Sequence, residues 1–169
     1  SPERREAHIE TPLPWCISTK LNSKELVGLM DPVSKLMMMV PSTDRFSAHS
    51  DTIRSIVAEM YSNAMEHGLL RLDSKLKDTE DGFIEYYKLR DERIKSLVDE
   101  SISLRVQYAP QIDINTLTIE ISDTGGGFNV DGVLSRLEEN TEDLSYGRGI
   151  ALITSLAKEI KFLNGGATM

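Results

Sequence analysis

Glu59-Met60-Tyr61-Ser62-Asn63-Ala64-Met65-Glu66-His67-Gly68 is the stretch around which the chain is organised. It closes a helix-like run that begins near Ser50. At about 100° per residue, Glu59, Asn63 and His67 fall on one side of that helix. Ile53, Ile56, Val57, Met60 and Ala64 form a neighbouring apolar stripe that predicts a face against a core. A carboxylate, a carboxamide and an imidazole stacked beside a buried face could line a pocket. Gly68 stands where a C-terminal glycine commonly ends a helix. Taken alone, the row also reads as the solvated border of an amphipathic helix.

Two glycine-rich elements downstream bear on that choice. Residues 102–108 and 117–121 alternate apolar and polar side chains at period two, which predicts an antiparallel hairpin with one face buried. The second strand runs into Asp123-Thr-Gly125-Gly-Gly127-Phe128. Glycines there let a backbone approach a ligand closely, and a carboxylate at a strand end can accept a hydrogen bond from an exocyclic amine such as that of adenine. Gly147-Arg148-Gly149 opens an apolar-periodic helix reaching Ala157, and free N–H groups at a helix start favour phosphate. Asn63 offers a hard oxygen of the kind magnesium takes beside phosphates. Glu59, one turn earlier, is placed as a general base or water-orienting group. Each motif alone is weak: Asp-Thr-Gly-Gly-Gly is also an ordinary loop, and Gly-Arg-Gly differs from the P-loop and dinucleotide patterns. Their order and spacing together are specific.

That set resembles the GHKL (Bergerat-fold) ATPases over residues 14–169. Glu59-x-x-x-Asn63-x-x-x-His67-Gly68 matches the N box, Asp123-x-Gly125-x-Gly127 the first glycine box, and Gly147-Arg148-Gly149-Ile150 the second. Gly166-Ala167-Thr168 stands where the family often has a closing Gly-Thr. The His-Gly ending of the N box is most similar to the anti-sigma-factor serine kinases of the RsbW/SpoIIAB type. The resemblance implies an α/β (α+β) two-layer sandwich, a mixed, mostly antiparallel sheet with helices on one face. It implies ATP and Mg2+, with Asn63 on the metal, Asp123 on adenine, Thr168 supporting that contact, and residues 128–147 as a lid over the phosphates. His67, Gly125, Gly127, Gly147, Arg148 and Gly149 complete the expected ATP site. Glu59 would activate a serine hydroxyl of a partner, typically a STAS-domain antagonist of an anti-sigma factor. A sigma factor is a further partner the resemblance allows, as is a second copy of the chain in a homodimer.

Residues 71–101 depart from the simplest members. Sixteen of the thirty residues from Arg71 to Glu100 are charged, yet Phe83, Tyr87, Ile94 and Leu97 recur at helical spacing. One long surface helix is expected, with a first turn that could be broken, either covering its own domain or offered to a partner. Such an insertion is similar to the kinase domains found C-terminal in response-regulator proteins that also carry a SpoIIE-type phosphatase domain. The charged, Pro-bearing residues 1–13 read as a linker or arm fitting that placement, which suggests a piece of a longer protein.

The remaining sequence narrows the choice of function. A chain of 169 residues with 40% apolar and 27% charged residues fits one ATPase domain over 14–169. The net charge of −8 argues against a nucleic-acid partner. No apolar run approaches a membrane helix or a signal peptide, so a cytoplasmic location without membrane contact is expected. The single Cys16 permits no internal disulfide and reads as a small core residue of a first strand over 14–22. Asp31-Pro32 predicts a helix running to Val40, Glu159–Leu163 a short strand, and 167–169 the start of another. A nucleotide-binding module that sequesters a partner without catalysis is the alternative function. A histidine-kinase catalytic domain ranks lower, since no His-bearing dimerisation helix precedes the fold. His67 is either structural or near the phosphates.

Overall fold

The computed structural model describes residues 13–28, 31–40, 44–110, 115–138 and 148–169. Strand β1 (Trp15–Asn22) leads into α1 (Ser23–Gly28) and α2 (Pro32–Met39). Asp31 caps α2 by accepting from the Ser34 amide at 2.9 Å, and Pro32 takes the first turn, where no donor is needed. A short α3 (Asp44–Ser47) precedes α4 (Ser50–Ser62), whose last turns, Asn63–Leu69, widen into π geometry. A 3-10 turn (Ser74–Asp78) and α5 (Glu80–Lys95) follow. Then come β2 (Ser101–Pro110), β3 (Asn115–Asp123), α6 (Val130–Glu138) and α7 (Arg148–Leu156).

The sheet has the order β1-β2-β3, antiparallel throughout, with Trp15 opposite Tyr108 and Ile102 opposite Asp123. One face is buried: Ile102, Leu104, Val106 and Tyr108 of β2 meet Leu21 and Ile121 there, with Val57, Met60 and Ala64 in the same core. Burying side chains of this kind stabilises by about 1.5–3 kcal/mol each. Trp15, Phe46 and Tyr108 close one end of the sheet edge to face, the Phe46 and Tyr108 centroids lying 5.0 Å apart. The opposite face carries Ser18, Lys20, Arg105, Gln107 and Glu120. This α+β layering, helices on one face of a mainly antiparallel sheet, is the expected architecture.

Residues 167–169 pair antiparallel with the end of β3 through an isolated bridge, Ser122 to Thr168, rather than as a full strand. The Ile121 and Met169 backbones exchange two 2.9 Å bonds, and the Asp123 amide donates to the Ala167 carbonyl at 2.9 Å. The expected strand over 159–163 is not a ladder. Only Leu163 bridges, back to Thr168 across the Asn164–Gly166 turn, where Asn164 and Gly165 both have positive φ.

Two local expectations are corrected, the second in part. Cys16 is exposed, because it lies in phase with Ser18 and Lys20 on the solvent face, where its Sγ meets Arg105 Nε at 3.3 Å. The break allowed for in the first turn of 71–101 is present: the 3-10 turn gives way to α5 at Thr79, whose hydroxyl caps the helix by accepting from the Gly82 amide at 3.1 Å. The expected apolar stripe holds at Ile94 and Leu97, which pack on the core, and fails at Phe83 and Tyr87. Phe83 and Tyr87 stack on each other at the surface, while the inward line runs through Gly82, Tyr86, Leu89 and Ile94.

A carboxylate explains that phase. Glu66 accepts from Tyr86 Oη, from Lys77 Nζ at 3.3 Å, and faces Arg90 Nε at 3.6 Å. Lys77 also sits 4.1 Å above the Tyr86 ring. Turning Phe83 inward would take the Tyr86 hydroxyl and Arg90 away from Glu66 and leave Lys77 as its one remaining partner there, which costs more than exposing one aromatic ring. The insertion is therefore bolted onto the helix that carries the N box.

Candidate functional site

Gly68 does not end its helix. It is buried inside the π segment, which runs on to Leu69. Its missing side chain makes room for Asp123: a Cβ at position 68 would lie 2.5 Å from Asp123 Oδ2. A Cβ on Gly125 would in turn overlap the Gly68 carbonyl. The end of β3 and the widened helix thus touch backbone to carboxylate, an approach only glycines at 68 and 125 permit. π geometry inside an α-helix is frequent at functional sites.

Asp123 Oδ1 accepts the Gly125 amide at 2.7 Å. Partial burial pushes its carboxyl above the ordinary carboxylate value, and the Gly125 amide offsets this only in part. Gly127 turns the loop with φ of 70°, and a Cβ there would strike the Gly165 carbonyl. Thr168 is buried, and its hydroxyl is engaged with Ser122 Oγ at 3.0 Å and Asn164 Nδ2 at 3.2 Å. It stands beside the Asp123 strand and fixes its end through Ser122 and Asn164.

Two turns back along the helix lies a second cluster. A Cβ on Gly149 would collide with Glu59 Oε2 and lie 3.7 Å from Asn63 Nδ2. The first turn of α7 therefore packs directly on the N-box face of α4, bringing together residues 90 positions apart. Asn63 Nδ2 is buried without a partner. An unmet buried amide is costly, and turning the amide over would present its oxygen at the same spot. A cation held between Asn63 and phosphate oxygens fits this arrangement. Among the described residues no group of three or more His, Cys, Asp or Glu side chains could hold a metal alone. Magnesium at Asn63 would thus depend on oxygens from a nucleotide and water.

His67 Nδ1 lies 2.9 Å from the Leu72 carbonyl, so that nitrogen carries the proton and pins the turn after the helix. His67 also lines a cavity of about 520 Å³ with Arg71, Asp73, Gly126, Gly127 and Phe128. Its structural bond and its place at a cavity wall coexist. Arg71 was not singled out by the motif. Its backbone has φ of 48°, a conformation uncommon outside glycine and asparagine. No period or spacing in the sequence reports that. Gly147, residues 139–147 of the expected lid and the Arg148 side chain lie outside the described residues, as do residues 1–12.

Residues 40–169 match the family described as the histidine kinase-like ATPase domain. The chain belongs to that family, and it is an ATP-binding domain of the GHKL superfamily. Comparison with curated proteins gave no match, and comparison with solved structures gave none. Among the described residues no helix is long and apolar enough to cross a membrane.

Proposed function

We propose that this domain is a protein serine kinase of a partner-switching system, using ATP and Mg2+ to phosphorylate a STAS-domain anti-sigma-factor antagonist. The observation that carries the reading is the Glu59 carboxylate against Gly149 at the start of α7, one turn from the unpartnered amide of Asn63. Phosphoryl transfer depends mainly on positioning and charge stabilisation. Magnesium, when bound with the nucleotide, would neutralise developing charge on the phosphates. Asn63 holds that cation, and the N–H groups opening α7 face the phosphate end. Asp123 accepts from the adenine amine. Glu59 accepts the proton of the incoming serine hydroxyl as the serine oxygen bonds to the γ-phosphorus and the bond to the β–γ bridging oxygen breaks, releasing ADP.

The test is incubation of the domain with radiolabelled ATP, magnesium and a panel of STAS-domain proteins. Phosphoserine on one of them is expected, and it should vanish in Glu59→Gln while ATP binding stays. ATP binding with no transfer to any STAS protein would sink the kinase reading.

A non-catalytic, partner-sequestering module is the second reading. It is favoured by Phe83, Ile84 and Tyr87, which are 48%, 66% and 45% exposed along one side of α5. A Glu59→Gln protein that retains all switching would select it.

A further inference from the structure

The geometry points to Arg71 as a base-contacting residue of the nucleotide site, its guanidinium plane stacking on the purine. This rests on the ATP-site reading above and adds a residue that the three motifs do not contain.

Four observations converge on it. Arg71 holds an uncommon positive φ of 48°. It is the left-handed residue just past the helix end, closed by the Leu72 amide on the Glu66 carbonyl at 2.8 Å, and it fixes the direction in which the side chain leaves the backbone. Arg93 of α5 donates from Nη1 to the Leu70 carbonyl at 2.8 Å and to the Arg71 carbonyl at 2.9 Å. The Arg71 side chain then lies along the bare backbone of Gly126, where a Cβ would stand 3.2 Å from Nη2 and 3.8 Å from Cζ. Finally, it walls the 520 Å³ cavity together with His67, Gly126 and Phe128. Among the described residues no carboxylate forms an ion pair with it.

The position along the site selects the base over the phosphates. Gly68 and Gly125 meet Asp123, the group that recognises the adenine amine, and Arg71 and Gly126 follow them by three residues and one. Asn63, with Gly149 of α7 packed near it, lies two turns back along the helix at the phosphate end. A planar cation against a glycine backbone offers its face to an aromatic ring, which a lysine ammonium cannot do in the same way.

The experiment is calorimetric titration of the wild type, Arg71→Ala, Arg71→Lys and Arg71→Gly with adenosine, ADP and ATP. We expect all three variants to bind all three ligands about 3- to 30-fold more weakly, by a similar factor for each ligand. Arg71→Gly should meanwhile be at least as thermally stable as the wild type, because glycine accepts the positive φ freely. Unchanged adenosine affinity in Arg71→Ala would overturn the proposal. So would a loss confined to ADP and ATP, or Arg71→Lys restoring ADP and ATP but not adenosine, since either would make the contact a charge contact to phosphate. A wild type that binds none of the three ligands would instead overturn the ATP-site reading itself.

Discussion

The Gly68 backbone lies so close to the Asp123 carboxylate that a Cβ at position 68 would stand 2.5 Å from Oδ2 and 2.7 Å from Oδ1. The glycine ending the N box and the acid opening the first glycine box are therefore one contact, although 55 residues separate them in sequence. Gly68→Ala should push the Asp123 side chain off its Gly125 bond. We expect a stability loss of about 1–3 kcal/mol from overpacking, with ATP affinity lost together with it. Denaturant melts and nucleotide titration on the same sample check both. Wild-type affinity in a folded Gly68→Ala protein would break the link between the two motifs.

Much of this was legible because it is periodic. The two-residue alternation of 102–108 and 117–121 gave the hairpin and its buried face. The 3.6-residue stripe from Ile53 to Ala64 gave the helix on which Glu59 and Asn63 sit. The misreadings share a cause: they concern groups whose partners are distant in sequence. Gly68 looks like a helix stop until Asp123 is placed beside it. Phe83 and Tyr87 outweigh Tyr86 and Gly82 in apolar spacing until Glu66 is there to take the Tyr86 hydroxyl. Arg71 carries no side-chain mark: its positive φ closes the widened helix, with the Leu72 amide on the Glu66 carbonyl, and Arg93 reaches in from α5 to hold the carbonyls of Leu70 and Arg71.

The raised Asp123 carboxyl predicts a pH-dependent conflict between stability and binding. An acid whose folded value exceeds its unfolded one favours the fold below the unfolded value, and that contribution disappears as pH rises through the folded value. At neutral pH the fold thus bears the full cost of the buried charge. Asp123→Asn should melt higher than the wild type at pH 7, with the difference closing in acid, while ATP affinity falls at least tenfold at pH 7 as an acceptor is lost. Thermal melts from pH 3 to 8 read the first effect. A variant that melts lower at every pH would contradict the assignment of the shift to burial.

Tyr86 is the bolt between the insertion and the N-box helix. Burial, then the Glu66 carboxylate, holds its phenol well above the usual value, so it remains a donor across the working range. Tyr86→Phe keeps the ring under Lys77 and removes only the hydroxyl. The expected cost is about 1.5–3 kcal/mol, as for a hydrogen bond to a charged group, read as a lower denaturant midpoint with an unchanged slope. A changed slope would mean instead that α5 had come away from the domain.

Asn63 supplies the complementary case, a polar group whose partner the fold itself does not provide. Its Nδ2 is buried and unpartnered, so the free domain bears a penalty of about 1–3 kcal/mol that an apolar group of similar size would not. Asn63→Leu should therefore leave the free domain as stable as the wild type or stabilise it by up to that amount. The same change should abolish the magnesium-dependent part of ATP affinity and leave adenosine binding intact, because Asp123 and the glycine loop are untouched. Titrating ATP with magnesium and with EDTA, and adenosine as the control, separates these effects. If Asn63→Leu lost adenosine and ATP equally, Asn63 would be a structural support of the base pocket rather than the cation ligand.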